Sequence, residues 1–338
     1  MRRLVTIAIL LMSSLAAYAQ MMPDSTVQVC AYWKKGDVME YECTRTSETV
    51  NSDGTSMKKT SASEIRVFEV VDETEHSYTL KTTYRDVFSS DVNLALGPAA
   101  DVYSNLAEKI EVYTLTDEFG SVQDVINVDE TMKILEDMIP ITIDAALTKM
   151  DKKAMRELGI TKETLVAQMR AIYSSPDVVA SMCLDDVAPL LYYHGGRYDM
   201  NEEYVLEEEF DNLFGGASAV GNTSLWVDTE ESDSTFVVMR TYTKIENETL
   251  LPMLKNATIE SVKATLTDEE QIRLTMEALE ESFKETSTEL EQYTTTLIHL
   301  PSGWTVAWYF DRDVVVKDAT GEAHTKESRQ VVIRDEDE

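Results

Sequence analysis

Apolar and polar positions alternate with a period of two over much of this 338-residue chain, and give way to a helical period in two internal stretches. Between residues 78 and 85, Tyr78, Leu80, Thr82 and Tyr84 share one face of an extended chain, opposite Thr79, Lys81, Thr83 and Arg85. That is the pattern of a strand with one wet side. Comparable runs predict strands at residues 38–44, 65–71, 110–115 and 122–128, and again at 203–210, 225–227, 235–244, 293–300, 304–310 and 328–334. NSDG at 51–54, DETEHS at 72–77, DEFG at 117–120 and PSG at 301–303 supply hairpin connections, with glycine or asparagine where a positive φ is needed. The GGASAVGN stretch at 215–222 reads as a flexible link.

The period lengthens after residue 128. Asp129 can cap a helix whose Met132, Leu135 and Ile139 share a stripe and which Pro140 interrupts. Further helical pieces are expected at 143–158, stopped by Gly159, at 161–173, and from Ser175-Pro176 onward. A second helical region has its clearest start in TDEE at Thr267, a capping box with Glu270 at the third position. Ile272, Met276, Leu279, Phe283 and Leu290 then form an apolar stripe of about six turns. Strands, helices, strands, helices, strands: this order predicts an α+β fold, a curved antiparallel sheet covered by helices. The recurring layout divides the chain into units at 20–190 and 191–334, and leaves duplication of one unit as an open reading.

The ends alter the picture of compartment. MRRLVTIAILLMSSLAAYAQ has a basic start at Arg2 and Arg3, a short apolar run, and Ala17-Tyr18-Ala19 as a cleavage site. It predicts a leader over 1–19 and a periplasmic or secreted product, with 335–338 as an acidic tail. No later segment reads as apolar enough for a transmembrane anchor. Without the two leader arginines the chain carries 28 basic against 62 acidic side chains, a formal charge of -34 (28 less 62). Such a surface repels phosphate backbones, which excludes nucleic acid as an expected partner. Cys30, Cys43 and Cys183 remain, enough for one disulfide with three possible pairings.

Candidate chemistry concentrates near the C-terminus. In PSGWTVAWYFDRD, strict alternation puts Trp304, Val306, Trp308 and Phe310 on one face. That oily face needs cover, from the helical stripe at 272–290 or from a bound apolar molecule. Arg312 follows on the same side as a rim residue for an acidic or amphipathic ligand. His194, in LLYYHGGRYD, joins a titratable ring to two glycines that allow close approach. No HExxH, GxSxG, P-loop, CxxC or dinucleotide fingerprint occurs, so no catalytic residue, metal or cofactor is assigned. The reading is a non-catalytic exported binding protein, a carrier of an apolar or amphipathic small molecule, with Trp304, Trp308, Phe310, Arg312 and His194 as its candidate ligand residues. The alternatives are a structural or protein-interaction role in the cell envelope, with a protein partner, and a hydrolase using acidic residues.

The leader ending in AQ, WKKGDVMEY, SYTLKTTYRD and DEFGSVQDVINVDETMKIL together resemble exported proteins of the Bacteroidetes, a domain of unknown function whose strands carry a G-x-[IV]-x-x-[IV]-x-N phrase before a helix. Here the phrase falls on Gly120, Val122, Val125 and Asn127. More distantly, antiparallel strands under helices resemble the half-barrel carriers of the lipoprotein-localisation type. That likeness implies a fold that holds acyl chains between sheet and helices, and transfers no binding residue.

Overall fold

The computed structural model describes residues 22, 24–97, 100–149, 161–210, 219–265, 269–319 and 321–334. The leader at 1–19, the tail at 335–338, Gly159 and Thr267 lie outside them. Thirteen strands are described: β1 (Thr26–Gln28), β2 (Val38–Asn51), β3 (Ser56–Glu73), β4 (Ser77–Ser89), β5 (Glu111–Asp117), β6 (Val122–Val125), β7 (Arg197–Asp199), β8 (Glu203–Phe210), β9 (Ala219–Val227), β10 (Phe236–Ile245), β11 (Ser287–His299), β12 (Trp304–Asp318) and β13 (Gly321–Ile333). Eleven form one antiparallel sheet in the order β6-β5-β4-β3-β2-β13-β12-β11-β10-β9-β8, and β1 pairs with β7 in a small ribbon. Every neighbour in the large sheet but one follows its partner directly in sequence. The exception is β13 against β2, where Val331 faces Cys43 and Ile333 faces Tyr41. The two strand groups therefore share one continuous sheet.

The helices are α1 (Ser90–Leu96), α2 (Ala100–Ala107), α3 (Val128–Lys149), α4 (Lys162–Tyr173), α5 (Pro176–Leu184), α6 (Ala188–Leu191), α7 (Asn247–Thr265) and α8 (Glu269–Ser282). Local chemistry starts several of them. Thr161 and Thr164 form a reciprocal capping box on α4, and Ser175 caps α5 with Pro176 in its first turn. Pro140 sits inside α3 rather than ending it. The division at residue 190 falls within α6. Among the described residues no helix is long and apolar enough to cross a membrane.

One face of the sheet is the buried one. Leu80, Thr82 and Tyr84 of β4 and Val112, Thr114 and Thr116 of β5 lie on it, as the alternation required. Over β4–β6, α3 and α5 supply Met132, Leu135, Val179 and Cys183 against Tyr84, Val112 and Val125. At the far edge, Leu250 of α7 meets Phe210, Ile245 and Leu290. Between these flanks, residues 29–33 close one end of the sheet. Ala31 N donates to Phe119 O and Tyr32 N to Ser302 O, which ties this segment to two hairpin turns. Gly303 permits the approach: at φ 72° a Cβ there would stand 2.1 Å from Cys30 O.

Four expectations are corrected. The stripe from Ile272 to Leu290 is not one helix: α8 ends at Ser282, and Leu290 is a buried position of β11. Nor does α8 cover the late aromatics, since it buries none of its described side chains and Arg273 pairs along its surface with Glu270 and Glu277. Residues 219–222 of the supposed link belong to β9. Finally, Cys30, Cys43 and Cys183 are buried thiols with no disulfide between them. Burial pushes the Cys43 thiol up to about 12 and Cys183 up to about 11, which suppresses the reactive thiolate.

Candidate functional site

The aromatic stretch divides at a β-bulge. On β11, Leu297 faces Ala307 while Ile298 faces Thr305, so Val306 has no partner. An extra residue reverses which way the strand's side chains point. Trp304 therefore pairs with His299, and Trp308 with Thr296 on the other side of the alternation. Trp308, Phe310 and Arg312 line the groove together, whereas Trp304 belongs to the same buried cluster as Trp308 and Phe310 but does not line it. It stacks on Trp33 with ring centroids 4.7 Å apart, and both indoles are buried.

The sequence groups His194 with these residues, and the structure places it beside the Trp33–Trp304 pair, off the groove lining. Its Nε2–H donates to Gly303 O at 2.7 Å, its ring lies 5.5 Å from that of Trp33, and Ser121 Oγ donates to its carbonyl. Nδ1 is buried without a hydrogen-bond partner. Burial pushes the imidazole down to about 4, against the opposing pull of the Gly303 and Leu191 carbonyls. Here His194 is a core group that favours its neutral form. The unfolded chain takes up the proton first, so His194's contribution is full above about pH 6.5 and drains as pH falls toward 4, a loss of about 3 kcal/mol. His194→Gln, which keeps a donor for Gly303 O, should flatten that acid limb in urea melts compared at neutral and acid pH.

Trp308 and Phe310 line a groove on the inner face of the sheet. A cavity of ≈ 600 Å³ is walled by Trp308, Phe310, Arg312, Thr241, Thr294 and Phe210, among others. A second, of ≈ 300 Å³, lies over β2 and β3, with Cys43, Glu64, Val87, Phe88 and Tyr103 in its wall. Asp185, Pro189, Trp308 and Arg329 belong to both, so the two are compartments of one groove. Its roof is the strap of residues 185–190, which includes the first three residues of α6. The apolar part of the wall is mixed with threonine hydroxyls, of which Thr241 and Thr294 bond each other at 2.5 Å.

The strap is held at both ends. At one, Thr305 Oγ1 donates to Leu190 O, while Tyr41 OH donates to Thr305 O at 2.7 Å. At the other, Arg66 of β3 reaches Asp186 twice, Nη1 to the carbonyl at 2.5 Å and Nη2 to Oδ1 at 2.7 Å, and also holds Glu64 Oε1 at 2.5 Å. Tyr84 OH completes this set by donating to Asp186 Oδ2 at 2.9 Å. Burial pushes the Glu64 carboxyl up, and Arg66 opposes it. Two carboxylates near a groove suggest acid–base work, but both are bound by one guanidinium, an arrangement suited to fastening the strap.

Acidic and basic groups both line the groove, and the arginines gather around Phe310. The Arg312 and Arg329 guanidinium carbons lie 5.0 and 5.2 Å from the Phe310 ring centroid. Arg329 and Arg45 both pair with Glu327, at 2.7 and 2.8 Å. Arg312 donates to Gln292 Oε1 from Nε at 3.0 Å and Nη2 at 2.7 Å. On edge strand β8, Glu208 accepts from Tyr192 OH at 2.5 Å and Thr223 Oγ1 at 2.7 Å. Arg329, Arg66 and the strap were missed at the sequence level. A cross-strand neighbour of Phe310 on β13 could have been sought from the hairpin, whereas nothing local announces Arg66, whose partner lies 120 residues away.

No family model matches the chain, and no curated protein does. Among solved structures, one of lipovitellin, described by its lipid–protein interactions, aligns over 89% of this chain at 8% identity with a TM-score of 0.36. The chain spans 25% of the lipovitellin chain's length.

Proposed function

We propose that this chain is a non-catalytic, exported binding protein that carries an apolar or amphipathic small molecule between the inner face of its curved sheet and the helical layer above it. The observation that supports this most is the groove shared by Trp308 and Arg329 under the 185–190 strap, with compartments of ≈ 600 and ≈ 300 Å³. Its size falls in the range of small-molecule sites, roughly 300–1,000 Å³, and its mixture of aromatic wall with a few polar groups is what such sites use. Affinity would come from apolar area removed from water, and orientation from the guanidinium groups. Export follows from the leader pattern at 1–19.

The test has two parts. Native mass spectrometry of purified protein should reveal a non-covalent adduct that organic extraction removes. The extracted protein should then bind the neutral fluorophore N-phenyl-1-naphthylamine saturably. Ligand-free protein that gives no saturable signal with the fluorophore would contradict the carrier reading. A protein partner is the second reading, supported by aromatics on the opposite face: Tyr242 and Tyr293 rings lie 4.7 Å apart, with Tyr293 48% and Tyr309 39% exposed.

A further inference from the structure

We propose, resting on the carrier reading, that the groove selects a single-chain amphiphile with an anionic head, which Arg312 and Arg329 hold with Arg45 beside them. The charges of the groove and of the chain are locally mismatched. A chain of formal charge -32 has placed three arginines together on the inner face of β12, β13 and β2. One carboxylate, Glu327, answers two of them, Arg329 and Arg45. For Arg312, no carboxylate among the described residues lies within ion-pair distance, and its donors go to the neutral oxygen of Gln292. Glu327 stands opposite Arg312 in the β12–β13 pairing but is engaged by Arg45 and Arg329, and three guanidinium groups sharing one carboxylate in a partly buried place is costly. Burial lowers the pKa of Arg312, and Arg329 and Arg45 lower it further against the pull of Glu327. An incoming anion would relieve this strain with charge-assisted, fork-shaped hydrogen bonds.

The surroundings say how the rest of the molecule would lie. Phe310 sits against both Arg312 and Arg329, and cation–π contact keeps their planar groups in place before binding. Glu208 is already engaged by two hydroxyls on β8, four strands from β12, or roughly 19 Å along the sheet at ~4.8 Å per strand. Asp185 on the roof and Glu209 are the other acidic groups of that compartment. From the arginines, the apolar way leads across Trp308 into the compartment walled by Val87, Phe88, Val92 and Tyr103. That compartment, ≈ 300 Å³, fits one chain better than a lipid with several.

Competition against N-phenyl-1-naphthylamine by dodecanoate, dodecanol, dodecyltrimethylammonium and acetate tests this on the full chain. Dodecanoate should bind about tenfold tighter than dodecanol, as expected for charge-assisted hydrogen bonding, with the ammonium weaker still and acetate without effect. The Arg312→Gln/Arg329→Gln variant, checked for an unchanged far-ultraviolet spectrum, should bind dodecanoate and dodecanol alike. Arg312→Lys is the companion variant should the double change impair folding, and should retain a reduced preference for the carboxylate. Equal affinity for alcohol and carboxylate in the native protein would overturn the anionic head while leaving the carrier reading standing. Competition by acetate would overturn the amphiphile, and failure of every probe to bind would overturn both.

Discussion

Arg66→Met should destabilise the fold by about 3–5 kcal/mol, the usual cost of removing one partner from a buried ion pair. The substitution keeps most of the stem's volume and deletes the charge. Glu64 and Asp186 would then face each other across a site where the Arg66 side chain is only 9% exposed. Urea unfolding at neutral pH measures the loss, and adding Glu64→Gln and Asp186→Asn to the variant should recover part of it. A loss below about 1 kcal/mol would fit an exposed pair instead, and would contradict the assignment of Arg66 as the fastener of the strap. Because Asp186 is part of the roof of the groove, the same variant should also bind the fluorophore more weakly.

The second large effect separates the two tryptophans that the sequence groups together. Trp304→Ala should cost about 3–5 kcal/mol, the range for deleting a buried aromatic, because it removes the partner of Trp33 and leaves a cavity at the closed end of the sheet. At temperatures where the variant is folded, its affinity for the fluorophore should equal that of the native protein. Trp308→Ala should do the opposite in kind, weakening fluorophore binding well beyond its effect on stability. Denaturant melts and binding isotherms on the two variants decide the matter. Loss of binding in Trp304→Ala at full folding would return that indole to the ligand wall.

Much of the sheet was legible because hydrophobic alternation reports burial on one face. Tyr78, Leu80, Thr82 and Tyr84 behave as that rule demands, and the glycines at 54, 120 and 303 all adopt the positive φ that their turns need. The far halves of β2, β3, β12 and β13 were not legible. Residues such as Thr46, Ser47, Thr60, Ser61, Lys326 and Glu327 carry no apolar alternation, and their strand state comes from pairing with neighbours already in the sheet. The α8–β11 junction was obscured because Phe283 and Leu290 happen to continue a helical spacing past the point where the chain turns.

The candidate site was legible in part for the same reason. Trp308, Phe310 and Arg312 share a face through simple alternation, and all three line the groove. Trp304 lies off the groove lining because one unpaired residue, Val306, resets the alternation, and a bulge has no dependable local signal here. His194 drew notice through its glycines, but these serve close packing: a Cβ on Gly195 would meet Ser121 Oγ at 2.3 Å, and one on Gly196 would meet Tyr198 at 2.2 Å. Arg66, Asp186 and Arg329 join the site through tertiary contact alone.

The central claim is that a chain-like molecule lies against Trp308 inside the groove. Quenching of tryptophan fluorescence by a chain-brominated fatty carboxylate tests it most directly, since bromine quenches only on contact, Trp33 and Trp304 are buried and stacked on each other, and Trp226 lies with Tyr242 and Tyr293 on the opposite face of the sheet. The account predicts saturable quenching in the native protein that is largely lost in Trp308→Phe. Equal fractional quenching in the two proteins, or none in either, would contradict it.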